Sequence, residues 1–118
     1  MLNASLLSII EEAGINVLTL TEGVEKEEFL SSRLTRAEVG RQVKVMTDIA
    51  ANLPPQTCIL MAEVDWAGWA AMARQLNEPG PAAGDALWFA ARSLIPATVM
   101  WLRVYRNNQP ELFDYTPP

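Results

Sequence analysis

The chain has 118 residues, 9 basic and 14 acidic, for a net charge of −5, with no histidine and one cysteine. Its length suits one domain with one core. The acidic balance argues against a broad phosphate-gripping surface; the missing histidine removes imidazole general-base chemistry and the common zinc sites; Cys58 alone makes neither an internal disulfide nor a metal cluster.

Half of the residues are hydrophobic, so the chain has enough apolar surface to fold. The start of the chain lacks a basic segment ahead of its apolar residues, and Glu11 and Glu12 interrupt any signal-like run. No apolar run approaches the ~18 residues of a membrane span. A cytoplasmic protein without cofactor or metal is the expectation.

The first helix is expected from Asn3 or Ser5 to Leu20, with Leu6, Ile9, Ile10, Ala13, Val17 and Leu20 on its apolar face. Leu2, Leu7 and Leu18 widen that face, as for a helix packed on two sides. Gly14 inside it costs up to about 1 kcal/mol against alanine, so either a close helix contact or simple tolerance accounts for it. Glu25 to Glu28 reads as a solvated turn, and Phe29 with Leu30 as a short helical turn laid on the core.

Thr35 to Glu38 has the form of a capping box, which predicts a second helix beginning at Thr35. Val39, Val43, Met46, Ala50 and Leu53 carry its apolar face, and Pro54-Pro55 ends it. Lys44 and Asp48, four residues apart, form a surface ion pair on this reading. Gln56 to Ala62 is a short connector.

Asp65 is placed to cap a third helix. Trp69, Met72, Ala73 and Leu76 form its core face, and Asn77, Pro79 and Gly80 stop it. Its far end is a polar corner with Arg74, Asn77 and Glu78. A fourth helix starts near Asp85, with Leu87, Trp88, Ala91, Leu94 and Ile95 inward, a kink or break at Pro96, then Val99, Leu102 and Tyr105 or Arg106 in register. No stretch alternates as a strand would. The fold class expected is all-α: an up-down four-helix bundle with short extra turns, its last helix kinked at Pro96. One domain spans 1–108, followed by an irregular proline-containing tail at 109–118.

Several phrases occur in a fixed order: E-E-F-L-S-S-R-L-T-R-A-E-V, the Arg41–Leu53 helix ending in L-P-P, V-D-W-A-G-W-A-A-M, D-A-L-W and S-L-I-P. Together, over roughly residues 5 to 105, they resemble the HepT-like branch of the HEPN superfamily. No single phrase is specific; the ordered set carries the resemblance. It implies a homodimeric helical bundle, and in active members a ribonuclease toxin encoded beside a minimal nucleotidyltransferase antitoxin. Such members carry Arg-Asn, a spacer, then His-x-Tyr after the tryptophan-containing helix. There the histidine would serve proton transfer at the ribose 2′-hydroxyl and the arginine would steady the phosphate. The tyrosine is where the antitoxin attaches adenylates.

Laid on this chain, the arginine position of that motif holds Ala73, the asparagine position Arg74, the histidine position Glu78 and the tyrosine position Gly80. A one-residue slip restores an arginine at Arg74, but nothing supplies a histidine. A Gly-Glu pair frequent in the family falls on Thr47-Asp48, while Arg41 matches a family arginine. The chain thus keeps the scaffold pattern and departs from the Arg-x(4–6)-His chemistry. A glutamate carboxylate can accept a proton, is a poor donor and repels phosphate.

The reading is a HepT-like protein that has lost ribonuclease catalysis. It acts as a homodimeric interaction protein for a nucleotidyltransferase-like partner, with RNA the disfavoured partner and no membrane involved. The candidate polar cleft comprises Arg41, Asp48, Arg74, Asn77 and Glu78. The alternatives are a ribonuclease with a non-standard site built on Arg74 and Glu78, and a ligand pocket lined by Trp66, Trp69, Trp88 and Trp101. Simple core packing of those four tryptophans stands against the last.

Overall fold

The computed structural model describes residues 2–78 and 82–112, and the described part is all-α. In chain order the helices are α1 (Leu2–Thr21), α2 (Lys26–Ser31), α3 (Arg33–Asn52), α4 (Pro55–Leu60), α5 (Trp66–Leu76), α6 (Ala82–Phe89) and α7 (Ile95–Asn108). A π-helical turn, Ala90–Leu94, joins α6 to α7, and a 3₁₀ turn follows at Pro110–Leu112. No strand occurs among the described residues, and no helix is long and apolar enough to cross a membrane. The tail expected to be irregular therefore starts with helical winding, and residues 113–118 lie outside the described part.

The most extensive helix contacts are α1 on α3, α1 on α7 and α3 on α5. At Gly14 the three helices α1, α3 and α7 crowd together. A Cβ built there would lie 2.8 Å from Val99 Cγ2 on α7, 3.2 Å from Met46 Cε on α3 and 3.4 Å from Ile95 Cγ2. The glycine is therefore a packing requirement and not mere tolerance. The same contact sets the rotation of α1. Leu7, Ile10, Ala13 and Val17 are buried, while Ile9 and Leu20, expected inward, are 42% and 38% exposed. The inward stripe thus keeps Ile10, Ala13 and Val17 of the expected face but is turned slightly, toward Leu7 and Thr21 and away from Ile9 and Leu20, so that the backbone at Gly14 faces its neighbours.

On α3 the expected face holds: Val39, Val43, Met46 and Leu53 are buried. The start of α3 is a correction. The helix begins at Arg33, and its cap is Ser32, whose Oγ accepts from Thr35 N–H at 3.3 Å. Thr35 is a residue of the first turn, and Glu38 turns away to Arg41 and Gln42 instead of reaching back. Capping by Ser32 wins because α2 ends at Ser31, so the chain turns directly at residue 32, whose own N–H is already taken by Glu28 O and Phe29 O.

Helix α1 ends at Thr21, and Gly23 just beyond it has a φ of 72°, the left-handed conformation that stops helices. Arg92 Nη2 reaches across from the π turn and donates to Thr21 O at 3.0 Å and to Val24 O. The cation also sits 4.5 Å from the Trp88 ring centroid, so one guanidinium satisfies the end of α1 and fixes the α6 side chain.

Pro96 neither ends the helix nor leaves its position open. The chain winds continuously through it, with Ile95 N–H bonded to Ala90 O, five residues back. Widening the turn before a proline keeps its ring off the carbonyl four residues earlier. Beyond it Val99, Leu102 and Tyr105 are buried as their spacing predicts.

Two stability outcomes follow from these contacts. Gly14→Ala gains up to about 1 kcal/mol of helix propensity but overpacks a stiff β-branched neighbour at a cost of about 1–3 kcal/mol; urea denaturation will show a net loss. Adding Val99→Ala relieves that overlap, so the cost of Gly14→Ala shrinks in the Val99→Ala background. Equal costs in both backgrounds would remove this account of Gly14.

Candidate functional site

Helix α5 carries the site, so its own anchoring comes first. Asp65 caps it as expected, with Oδ1 accepting from Gly68 N–H at 2.8 Å. Its carboxylate folds so close over Gly68 that a Cβ there would overlap Oδ2. Trp69 and Met72 bury the core face. Inside the core, Trp69 Nε1–H donates to Thr98 Oγ1 at 3.0 Å, and Thr98 in turn donates to Leu94 O at 2.7 Å. This chain of two bonds pins α5 to the junction of the π turn with α7.

One face of α5 opens on a cleft of about 330 Å³ between α3, α5 and α6. Lys44, Thr47 and Asp48 enter it from α3, Ala73, Leu76 and Asn77 from α5, and Leu87 from α6. Asp48 and Asn77, both expected at a polar cleft, are therefore brought together. Lys44 Nζ lies 3.4 Å from Asp48 Oδ2, an exposed pair of small energetic weight. Thr47 Oγ1 donates to Lys44 O, and Asn77 Nδ2 donates to Ala73 O. The lining therefore offers one cation, one carboxylate and short polar groups bonded within their own helices.

The other expected residues stand elsewhere. Arg74 is exposed, while its neighbour Ala73 takes the cleft position; one residue along a helix is a rotation of about 100°. Arg41 lies one turn before Lys44 on α3, its guanidinium on Glu38, with Nε to Oε2 3.1 Å and Nη2 to Oε1 2.5 Å. Hydrogen bonds from Arg41, then from Gln42, hold the Glu38 carboxyl below its ordinary value, and Glu38 raises Arg41 in return. Glu78 lines a separate groove on the α5–α6 side, with Asp65 and Asp85. Gly80 and Pro79 lie outside the described residues.

Lys44 and Thr47 are cleft residues that the sequence left as a surface pair and a family position. Their spacing with Asp48 and the i, i+4 pattern of Ala73 and Asn77 were visible; that the two rows face each other was not. The four tryptophans do not gather around a ligand space. Trp69 is core, Trp66 Nε1–H donates to Met61 O at 3.0 Å, Trp88 lies 5.4 Å from Phe29 between ring centroids, and Trp101 lies 6.4 Å from Tyr105. Burial pushes the Cys58 thiol up, which disfavours the nucleophilic thiolate. Among the described residues no group of three or more His, Cys, Asp or Glu is placed to hold a metal ion.

Compared with models of known protein families, with characterised proteins and with solved structures, the chain matches none.

Two measurements check this geometry. Thr98→Val removes the acceptor for the buried Trp69 N–H while keeping the shape, and will cost about 1–3 kcal/mol in urea unfolding; an unchanged midpoint would mean the bond is absent. For Glu38, the folded value is lowered, so the contribution of the pair to stability is present above the unfolded value and fades as pH falls through the folded one. In Arg41→Ala, the Glu38 carboxyl carbon followed by NMR will titrate at higher pH than in the parent chain.

Proposed function

We propose that this chain is a HepT-like protein without ribonuclease catalysis, a homodimer that works by binding a nucleotidyltransferase-like partner. On this reading its helices form an up-down four-helix bundle, and the protein acts in the cytoplasm.

One observation supports it above the others. The positions that the resemblance aligns with its Gly-Glu pair and its motif arginine, Thr47, Asp48 and Ala73, line one cleft together with Asn77. A cleft built from those positions suits a family scaffold. Its contents do not suit phosphodiester chemistry, since Ala73 presents no cation and Asp48 sets a carboxylate beside Lys44. The all-α architecture and the half-exposed Ile9 and Leu20 on α1 agree with a bundle that pairs with a copy of itself.

The runner-up ribonuclease built on Arg74 and Glu78 has less behind it. Arg74 is exposed and Glu78 lines the other groove with two further carboxylates, which would repel a phosphodiester.

Light scattering on the purified chain is expected to give twice the 13.0 kDa chain mass, and an RNA cleavage assay no products. Co-expression with a minimal nucleotidyltransferase encoded beside it is expected to give a stable complex. A monomer at micromolar concentration would defeat the homodimer, and cleavage lost in both Arg74→Ala and Glu78→Ala would establish the ribonuclease instead.

A further inference from the structure

We propose that the groove between α5 and α6 is a docking site for a basic amphipathic helix of a partner protein. The groove holds about 530 Å³ and is distinct from the cleft on the other face of α5. Its floor is apolar, with Ala71, Met72 and Ala86 along it and Phe89 at one end. Phe89 is 55% exposed, a large apolar side chain with one face still open to solvent. Small side chains on both walls, Ala71 from α5 and Ala82 and Ala86 from α6, let a third backbone approach closely.

The rim chooses the occupant. Asp65, Glu78 and Asp85 stand around this floor, and the described residues lining it include no cation. Lys26 reaches Asp85 at 3.5 Å, but both side chains are more than half exposed, so an incoming cation competes for that carboxylate at little cost. The carboxylates are not gathered tightly enough for a metal ion. Negative charge spaced around an apolar trough matches a helix with an apolar stripe flanked by lysine or arginine. Past Asp65 the surface continues into a second open recess that includes Trp66 and the 75% exposed Ile59, which extends the apolar track.

A second copy of this chain is a poor complement. Its most apolar helix, α1, has no basic residue. The helices richest in basic residues, α3 and α7, bury their apolar stripes in their own core, Val39, Val43 and Met46 on one and Val99 and Leu102 on the other. An anionic membrane surface would be repelled by the same rim. The inference needs neither the family resemblance nor a nucleotidyltransferase.

The test titrates the full ¹⁵N-labelled chain with a synthetic helical peptide of leucines at i, i+3, i+4 and i+7 flanked by lysines, and with a peptide in which glutamate replaces every lysine. The lysine peptide is expected to shift the amides of Gly68, Ala71, Ala86 and Phe89, and to bind more weakly as salt is raised. The glutamate peptide is expected to leave them in place. Phe89→Ala, and separately the Glu78→Lys, Asp85→Lys pair, should each weaken binding about tenfold. Leu34→Ala, which removes an exposed leucine on α3, should leave it unchanged. Shifts confined to other surfaces, equal binding of both peptides, no binding, or full binding by the groove variants would overturn the proposal. Concentration-dependent shifts at the same four amides without peptide would identify a second copy as the occupant, overturning this proposal and favouring the homodimer. A chain that stays monomeric leaves the groove proposal standing.

Discussion

The structure depends on the contact at Gly14. Three helices meet there closely enough that one extra methyl group would overlap Val99. Such an approach is available only to glycine, and it costs helix propensity to have it in mid-helix. What it returns is the burial of α1 against both α3 and α7, with Leu7, Ile10, Val17, Val43, Met46, Ile95 and Val99 buried in one core. Arg92 completes the arrangement by bonding the carbonyls at the end of α1, so that helix is held by packing in the middle and by charge at its end.

From this platform the position of α5 follows. Helix α7 is fixed against α1, and the π turn before it supplies Leu94 O and Thr98 with a bond that runs on to Trp69. A buried indole N–H needs a partner, and here the partner lies on the element that α1 has already located. Helix α5 can therefore expose two different faces at fixed angles. One looks onto α3 and carries Ala73 and Asn77; the other looks onto α6 and carries Gly68, Ala71 and Gln75. The binding reading and the groove proposal use different faces of the same anchored helix, and that is why they can stand or fall separately.

Much of this was legible in residue order. The inward faces of α3 and α7, Trp69 and Met72 on α5, the Asp65 cap and the lack of any strand among the described residues follow from periodicity and capping chemistry; Ala73 and Leu76, expected in the core, line the cleft instead. The start of α3 was not, because Ser32 and Thr35 are both good caps and only the short α2 before them selects Ser32. The rotation of α1 was not either. Leucines and isoleucines surround that helix, so its sequence permits several inward stripes, and Gly14 decides among them through neighbours far away in the chain.

The candidate site shows the same division. The sequence by itself determined which side chains exist to do chemistry. It has no histidine, and it places alanine, arginine and glutamate at 73, 74 and 78, because composition and order are properties of the chain alone. Only the tertiary structure decided that Ala73 faces the cleft while Arg74 faces solvent, that Asp48 and Asn77 line the same cleft, and that Glu78 belongs with Asp65 and Asp85. Those outcomes turn on the rotation of α5 about its axis. That rotation is set by the Trp69–Thr98 bond and the packing beneath it, contacts between residues remote in sequence that no local pattern encodes.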